Sequence, residues 1–135
     1  IFMPSLVNRL AKLSSQDNKI NILSDSLLVS DRSKYAIGPH TDNPKRLISL
    51  LYYFPSDSSK SHLGTSLFVP KEKDFYCEGN KHREFKDFDR VCTIPYIPNS
   101  LLVFPKTNKS FHGVETINEE DYTRNLLIQN LRVPE

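Results

Sequence analysis

The stretch Tyr35-Ala-Ile-Gly-Pro-His-Thr-Asp-Asn-Pro44 decides how the fold of this chain is interpreted. It places a His-x-Asp pair, His40 and Asp42, directly after a Gly-Pro corner. Along an extended strand the side chains alternate faces, so residues two apart point to the same side. An imidazole and a carboxylate would therefore lie side by side, and these are two of the three ligands of a non-haem iron(II) site. Because His-x-Asp pairs are common by chance, the interpretation needs a third ligand elsewhere in the chain.

The composition indicates one globular domain. The chain has 135 residues, of which 38% are hydrophobic and 25% charged, which is enough for a core and unlike a disordered tail. The net charge of +2 is too small to indicate a nucleic-acid or membrane partner. We expect a single domain over residues 1–135, with helical support over 1–25 and a core over 26–133. The chain starts at Ile1 without an initiator Met, so the lack of a targeting signal carries little weight.

Cysteine usage and absent motifs narrow the function classes. Cys77 and Cys92 are too few for a disulfide framework. One bridge between them is conceivable, but two free thiols in a reducing compartment are favoured, and on that basis we expect a cytoplasmic protein. The sequence has no Gly-rich phosphate loop, Cys-x-x-Cys pair, Ser-based elbow or His-Glu-x-x-His motif, which argues against the common nucleotide-binding, hydrolase and zinc-protease classes.

Short apolar runs separated by turn residues predict a β-rich domain. The first element is an exception, because apolar residues spaced over 2–13 suit one face of an amphipathic helix. The strands predicted after it cover residues 26–30, 34–42, 46–54, 64–70, 91–97, 100–104, 110–117 and 122–133. About eight short strands behind a helix indicate a β-barrel or jelly roll.

Residues 71–90 form an unusually long connection between predicted strands. They are dense in charge and contain Phe75, Tyr76, Phe85 and Phe88. Long loops in compact domains are often lids or insertions with a function. The alternative is a solvated excursion that its aromatic side chains hold down, and the sequence leaves both open.

His112, in Phe111-His112-Gly113-Val114, is the candidate third ligand. In a jelly roll, strands distant in sequence become neighbours, so His112 could meet the His-x-Asp pair and leave coordination positions open for a co-substrate and dioxygen. The other interpretation is a buried histidine bonded to a backbone carbonyl. His62 and His82 lie in polar, charged loops and are predicted to be surface residues.

Arg124 lies on the more apolar face of the last predicted strand. A guanidinium there is costly unless it has an anionic partner, which could be a bound carboxylate or an internal Asp or Glu. Two phenols are similarly ambiguous. Tyr53 ends the third predicted strand and Tyr35 precedes His40, and either could reach a pocket or be plain core.

These pieces, in this order, resemble the iron(II)/2-oxoglutarate-dependent dioxygenases, in particular their prolyl-hydroxylase-like branch. The matching pieces are the stretch 35–44, Leu51-Tyr52-Tyr53-Phe54, Gly64-Thr65-Ser66-Leu67-Phe68, Pro98-Asn99-Ser100-Leu101-Leu102-Val103-Phe104, His112-Gly113-Val114 and Arg124. No single piece is specific, whereas the ordered set is. The resemblance implies a mainly β fold, a distorted double-stranded β-helix (a jelly roll) with an N-terminal helix packed outside.

The same resemblance implies roles for the site residues. The implied metal ligands, which also form the catalytic centre, are His40, Asp42 and His112. Arg124 would hold the distal carboxylate of 2-oxoglutarate, Tyr53 would assist it, and Leu51 and Tyr35 would line the co-substrate pocket. The implied cofactors are iron(II) and the co-substrate 2-oxoglutarate, with ascorbate as an additional candidate.

The implied activity is hydroxylation of an unactivated C–H bond, with dioxygen consumed and succinate and CO2 released. The substrate would be a prolyl residue of a peptide or a small molecule. Asp42 favours hydroxylation, because the halogenating relatives carry a small residue at that position. The gap from His112 to Arg124 is longer than in some prolyl hydroxylases, which leaves the substrate class open.

Two other function classes compete with an oxygenase. A non-catalytic jelly-roll module could bind sugars or peptides through the aromatic residues of the 71–90 connection. A cupin-like metalloenzyme without 2-oxoglutarate would draw more histidines from closely spaced positions than the four that this chain contains.

Overall fold

The computed structural model describes residue 8, residues 10–12 and residues 21–134, and eight strands lie in this part of the chain. They are β1 (Leu23–Asp31), β2 (Ile37–His40), β3 (Arg46–Tyr53), β4 (Thr65–Pro70), β5 (Phe88–Ile94), β6 (Ser100–Pro105), β7 (His112–Val114) and β8 (Arg124–Arg132). Two single 3-10 turns cover Ser61–Leu63 and Phe85–Asp87.

The strands form two four-stranded antiparallel sheets. One has the order β1-β8-β3-β6 and the other β2-β7-β4-β5. The first strand therefore lies beside the last, and the second beside the seventh, which is the connectivity of a jelly roll. The predicted mainly β, jelly-roll fold is confirmed.

The N-terminal helix is small in the described part of the chain. Asn8 and residues 10–12 are helical, with Leu10 half-buried and its helical neighbours exposed. The remainder of the helix predicted over 2–13 lies outside the described residues. Among the residues that are described, no helix has the length and apolar character needed to cross a membrane.

The main core lies between the two sheets. β3 shows the alternation that builds it, because Leu47, Ser49, Leu51 and Tyr53 are buried while the residues between them are half-buried. A fully buried leucine side chain contributes about 1.5–3 kcal/mol. The buried members of this cluster are Leu51, Tyr53, Leu63, Tyr96, Val114, Ile117 and Leu126.

A second cluster holds the long connection before β5. Phe88 and Phe111 pack with ring centroids 4.9 Å apart, and Phe75 lies 5.8 Å from Phe111. Phe68 and Cys77 complete the buried set, and Phe85 packs against it. Both cysteines of the chain are free, Cys77 buried and Cys92 exposed.

Several strand boundaries differ from the prediction, and cross-strand pairing, not local propensity, decides where β1 and β5 begin. The strand predicted over 34–42 is only Ile37–His40, so Asp42 lies beyond its end. β1 begins at Leu23, inside the predicted helical support of residues 1–25, since it pairs with β8 from Leu23↔Arg132 onwards. β5 begins at Phe88 because that residue pairs with Pro70 of β4. The predicted strand over 110–117 is only His112–Val114.

Candidate metal centre

His40, Asp42 and His112 meet at one point of the structure. His40 ends β2, His112 begins β7, and the two residues are direct partners in the β2–β7 ladder. The Nε2 atom of His40 lies 4.0 Å from Oδ1 of Asp42, and Nε2 of His112 lies 3.7 Å from the same oxygen. One ligand atom from each residue lies within 4.8 Å of the others.

Both imidazoles are oriented by backbone carbonyls. Nδ1 of His40 lies 3.0 Å from the carbonyl oxygen of Gly38, and Nδ1 of His112 lies 3.1 Å from that of Ser110. A carbonyl oxygen can only accept, so each Nδ1 carries the proton and donates it. The Nε2 lone pairs are then directed towards Asp42, which is the arrangement found in histidine metal ligands.

The charge states of the three groups suit a divalent cation. Burial lowers the pKa of His40 to about 4 and also lowers the pKa of His112. Burial alone would raise the pKa of Asp42, but His112, the Ser49 hydroxyl and the Arg46 guanidinium outweigh it, so this pKa is lowered. At neutral pH the site therefore holds two neutral imidazoles and one carboxylate, the forms that bind metal.

Two side chains hold the Asp42 carboxylate. The Ser49 hydroxyl donates to Oδ2 at 2.5 Å, and the Arg46 guanidinium donates to Oδ1 at 2.8 Å. Ser49 is buried on the inner face of β3, whereas the Arg46 side chain is 33% exposed. This set of two imidazoles and one oriented carboxylate matches the ligands of non-haem iron(II) sites. The residues present fit such a metal.

A cavity of about 90 Å³ connects the triad with Arg124. It lies between the inner faces of the two sheets, so most of its wall is apolar. Besides the triad, Arg46, Ser49 and Arg124, the lining residues are Val29, Asp31, Tyr35, Ile37, Leu51, Thr65, Phe104, Gly113, Val114, Leu126 and Ile128. The cavity contains most of the residues that the sequence singled out.

Arg124 is buried, and its anionic partner in this structure is internal. Nη1 donates to Oδ2 of Asp31 at 2.6 Å, Nε to the carbonyl oxygen of Leu63 at 2.6 Å, and Nη2 to Oγ1 of Thr65 at 3.2 Å. Of the two partners considered from the sequence, a bound carboxylate or an internal one, the structure contains the internal one. Asp31 and Arg124 are direct partners in the β1–β8 ladder, which explains the pairing.

The other three co-substrate residues that the resemblance implies have different positions. Leu51 and Tyr35 line the cavity, and Tyr35 is 36% exposed. Tyr53 is buried but is not part of the cavity wall. Its hydroxyl donates to Oγ1 of Thr65 at 2.7 Å, and its ring centroid lies 5.5 Å from Cζ of Arg124. Tyr53 therefore contacts Arg124 and Thr65 from outside the cavity and helps to hold both side chains in place.

Sequence reasoning missed several residues of this region. Ser49 had a usable signal, because it is the one small polar residue between Leu47 and Leu51 on the inner face of β3. The sequence carries no signal for Thr65 and Asp31, since their contacts with Arg124 depend on the sheet register. His62 and His82 are both exposed, as expected, although the His82 ring lies 4.6 Å from that of His40.

The long connection over residues 71–90 packs directly against the His-x-Asp stretch. Asn80 N–H donates to the carbonyl of Thr41 at 3.3 Å, and Arg83 N–H to that of Pro39 at 2.9 Å. Gly79 has φ +134°, and a Cβ there would lie 2.2 Å from the carbonyl oxygen of Asp42, so only glycine fits. The connection thus packs on the strand that carries His40 and is held down by its aromatic residues, although none of its residues lines the cavity.

Comparison with known proteins supports the fold. No family model matches the chain, and no curated protein matches it. Among solved structures it is similar to a Pseudomonas putida prolyl-4-hydroxylase, with a TM-score of 0.54 and 14% identity over 95% of this chain and 63% of that one. The chain therefore spans less than two thirds of the length of that relative.

Two further likenesses are weaker. One is to Bacillus endospore appendages that form disulfide-linked pili, with a TM-score of 0.40 and 18% identity over 87% of this chain and 92% of that one. The other is to an RmlC-like cupin protein from Desulfovibrio desulfuricans, with a TM-score of 0.38 and 14% identity over 87% and 85% of the two chains. With TM-scores this low, neither likeness supports a conclusion about this chain. The chain has a jelly-roll fold like that of a prolyl-4-hydroxylase, with a His-Asp-His group that could bind a metal.

Proposed function

We propose that this protein is an iron(II)- and 2-oxoglutarate-dependent oxygenase that hydroxylates an unactivated C–H bond and releases succinate and CO2. The observation that carries the proposal is one cavity lined both by two neutral imidazoles with an ionised carboxylate and by a buried arginine. A metal site alone would need only the two imidazoles and the carboxylate, and not the arginine. A dicarboxylate co-substrate would use this guanidinium, which keeps two N–H groups beyond those bonded to Asp31, Leu63 and Thr65.

His40, Asp42 and His112 would hold the metal, and bound iron(II) would supply the activation of dioxygen. The protein's own contribution is orientation. The carbonyls of Gly38 and Ser110 keep both Nε2 atoms unprotonated, so no proton has to leave an imidazole when the metal binds.

Arg124 would hold the distal carboxylate of 2-oxoglutarate. The guanidinium is fixed by Leu63, Thr65 and Asp31, so its orientation is set before the co-substrate arrives. Leu51 and the other apolar side chains of the cavity would exclude water around the carbon chain and strengthen that ion pair. Tyr35 would contribute at the edge of the same cavity.

The substrate belongs to the same proposal. The likeness to a prolyl-4-hydroxylase makes a prolyl residue in a peptide the first candidate, and a small molecule the second. Residues 55–63 and 71–90 would supply selectivity, because the second of these packs on the strand that carries His40. Ascorbate belongs in the assay as an additional candidate cofactor.

The alternative of a non-catalytic binding module receives less support. It needs an exposed aromatic platform within residues 71–90. Phe88 is buried, and Phe75 and Phe85 are half-buried and packed against the second cluster, which leaves only Tyr76 well exposed at 59%. The aromatic residues of this connection therefore serve packing.

The test is metal-dependent conversion of 2-oxoglutarate to succinate, with prolyl peptides and free amino acids screened as substrates. The proposal predicts succinate formation that requires added iron(II) and is stimulated by one substrate class. Binding of 2-oxoglutarate is measured in parallel without oxygen. Absence of both iron-dependent turnover and metal-dependent 2-oxoglutarate binding would overturn the proposal.

A further inference from the structure

The Arg124 end of the cavity is already electrically neutral. Asp31 and Arg124 form an ion pair of 2.6 Å with side chains only 5% and 2% exposed. A lone buried arginine would offer an incoming carboxylate a whole uncompensated charge. Here that charge is shared with an internal carboxylate before any ligand binds.

The guanidinium nevertheless keeps donors available. It has five N–H groups, and its hydrogen bonds to Asp31, Leu63 and Thr65 use three of them. The remaining two can contact a second carboxylate. The obstacle to a dicarboxylate is therefore charge and not a shortage of hydrogen-bond donors.

Within the described part of the chain, no other ionisable group close to Asp31 offsets that charge. The ionisable side chains beside Asp31 are Arg124 and Tyr35, and the pKa of Tyr35 is raised, first by burial and then by Asp31, so this phenol stays neutral. The other ionisable residues that line the cavity are His40, Asp42, Arg46 and His112, which surround the candidate metal centre.

Two carboxylates that share one site cannot both ionise easily, so one of them holds a proton to a higher pH. Burial already raises the pKa of Asp31 against the opposing effect of Arg124. A protonated Asp31 would change from an acceptor into a donor, and its O–H could bond the new carboxylate. The proton would come from solvent, and no bond other than this O–H would form or break.

We propose that Asp31 is a specificity-determining residue that takes up one proton when an oxo acid with a distal carboxylate enters the cavity, and that hydrogen-bonds to that carboxylate. The affinity for 2-oxoglutarate then falls as pH rises, by up to about tenfold per pH unit. An oxo acid without the distal carboxylate binds without this proton. The inference rests on the proposed function.

The experiment compares 2-oxoglutarate with 2-oxopentanoate, which has the same chain length and oxo acid end but a methyl group in place of the distal carboxylate. Calorimetric titrations use the full chain loaded with Mn²⁺, between pH 6 and pH 8.5, in buffers of different ionisation enthalpy. We expect close to one more proton taken up for 2-oxoglutarate than for 2-oxopentanoate. Effects of pH on the metal and its ligands are the same for both oxo acids, so they cancel when the two proton uptakes are subtracted.

Asp31→Asn is the matched variant, because asparagine keeps the shape and cannot ionise. It should bind 2-oxoglutarate at least tenfold more tightly at pH 8 and lose the excess proton uptake. If that variant does not fold, the comparison of the two oxo acids on the wild-type chain still tests the role of Asp31.

The outcomes separate the inference from the function on which it rests. Equal proton uptake for the two oxo acids would overturn the role of Asp31 and leave the oxygenase proposal intact. Failure of both oxo acids to bind the Mn²⁺-loaded chain would overturn the oxygenase proposal, and the inference with it.

Discussion

The cavity contains two Asp–Arg pairs, and they differ in how firmly the arginine is held. Arg46 contacts Asp42 at 2.8 Å from a side chain that is 33% exposed. Arg124 contacts Asp31 at 2.6 Å, is 2% exposed, and is tied to two further acceptors. A cation entering beside Asp42 can therefore displace Arg46 towards solvent, whereas a ligand beside Arg124 must be accommodated with the pair in place.

The largest expected effect is loss of turnover at the Asp42 end. Asp42→Ala removes the one anionic ligand from between two neutral imidazoles, so iron-dependent succinate formation should disappear. Succinate production by the purified variant measures this. Asp25→Ala is the matched control, because the Asp25 side chain is 52% exposed and pairs with Arg132 outside the cavity, and this variant should keep wild-type turnover. Unchanged turnover in Asp42→Ala would remove the metal assignment.

The two pairs should differ sharply in stability. Arg124→Met leaves the buried Asp31 carboxylate without its cation, and we expect the free energy of unfolding to fall by about 3–5 kcal/mol. Arg46→Met also leaves a buried carboxylate, but Asp42 keeps its hydrogen bond from Ser49 and the lost guanidinium is 33% exposed, so this variant should cost less, on the order of 1–2 kcal/mol. Urea unfolding of the metal-free proteins compares them. If the free energy of unfolding fell by similar amounts in both variants, the two pairs would contribute equally to stability despite their different exposure.

A double variant sharpens that comparison. Replacing both partners, Asp31→Leu with Arg124→Met, removes the unpaired buried charge. Stability should then recover much of what Arg124→Met alone loses. Double-variant stability no better than that of the single variant would indicate that Arg124 acts through packing.

Stability of the metal-free protein should fall as the pH is lowered from about 6.5 to about 4. An unfolded imidazole has a pKa near 6.5, whereas burial lowers the pKa of His40 to about 4. In that window the unfolded chain binds more protons than the folded one, so acid favours unfolding, by on the order of 2–3 kcal/mol. His40→Gln should flatten this part of the stability–pH curve. An equally steep curve in the variant would contradict the assignment to His40.

The smallest effect is expected from the hydroxyl that orients Asp42. Ser49→Ala removes the 2.5 Å hydrogen bond to Oδ2 and should weaken metal binding about 10–100-fold. Titration with Mn²⁺ measures this. Ser100→Ala is the control, since the Ser100 hydroxyl donates to the carbonyl of Ile97 and Ser100 does not line the cavity, and the metal affinity of this variant should not change.

Features that depend on neighbouring residues could be predicted from the sequence, whereas features that depend on contacts between distant residues could not. The jelly roll could be predicted because short apolar runs and turn residues are local signals, and β3 shows the alternation as expected. The position of His112 needed the topology, which the family resemblance supplied.

The partner of Arg124 could not be predicted. Asp31 lies 93 residues from Arg124 in the chain, and only the β1–β8 register joins them. The same register extends β1 back to Leu23, where Ser24 and Asp25 are weak strand formers. Long-range pairing thus decided both the boundary and the contact, and neither has a local signature.

The most direct test of the metal centre is a crystal structure of the chain grown or soaked with Mn²⁺, with anomalous scattering used to locate the ion. We expect one anomalous peak at about 2.0–2.3 Å from Nε2 of His40, Oδ1 of Asp42 and Nε2 of His112, with Arg46 moved off that oxygen. An ion bound elsewhere, or an unchanged Arg46–Asp42 pair with no peak at saturating Mn²⁺, would contradict the proposed centre.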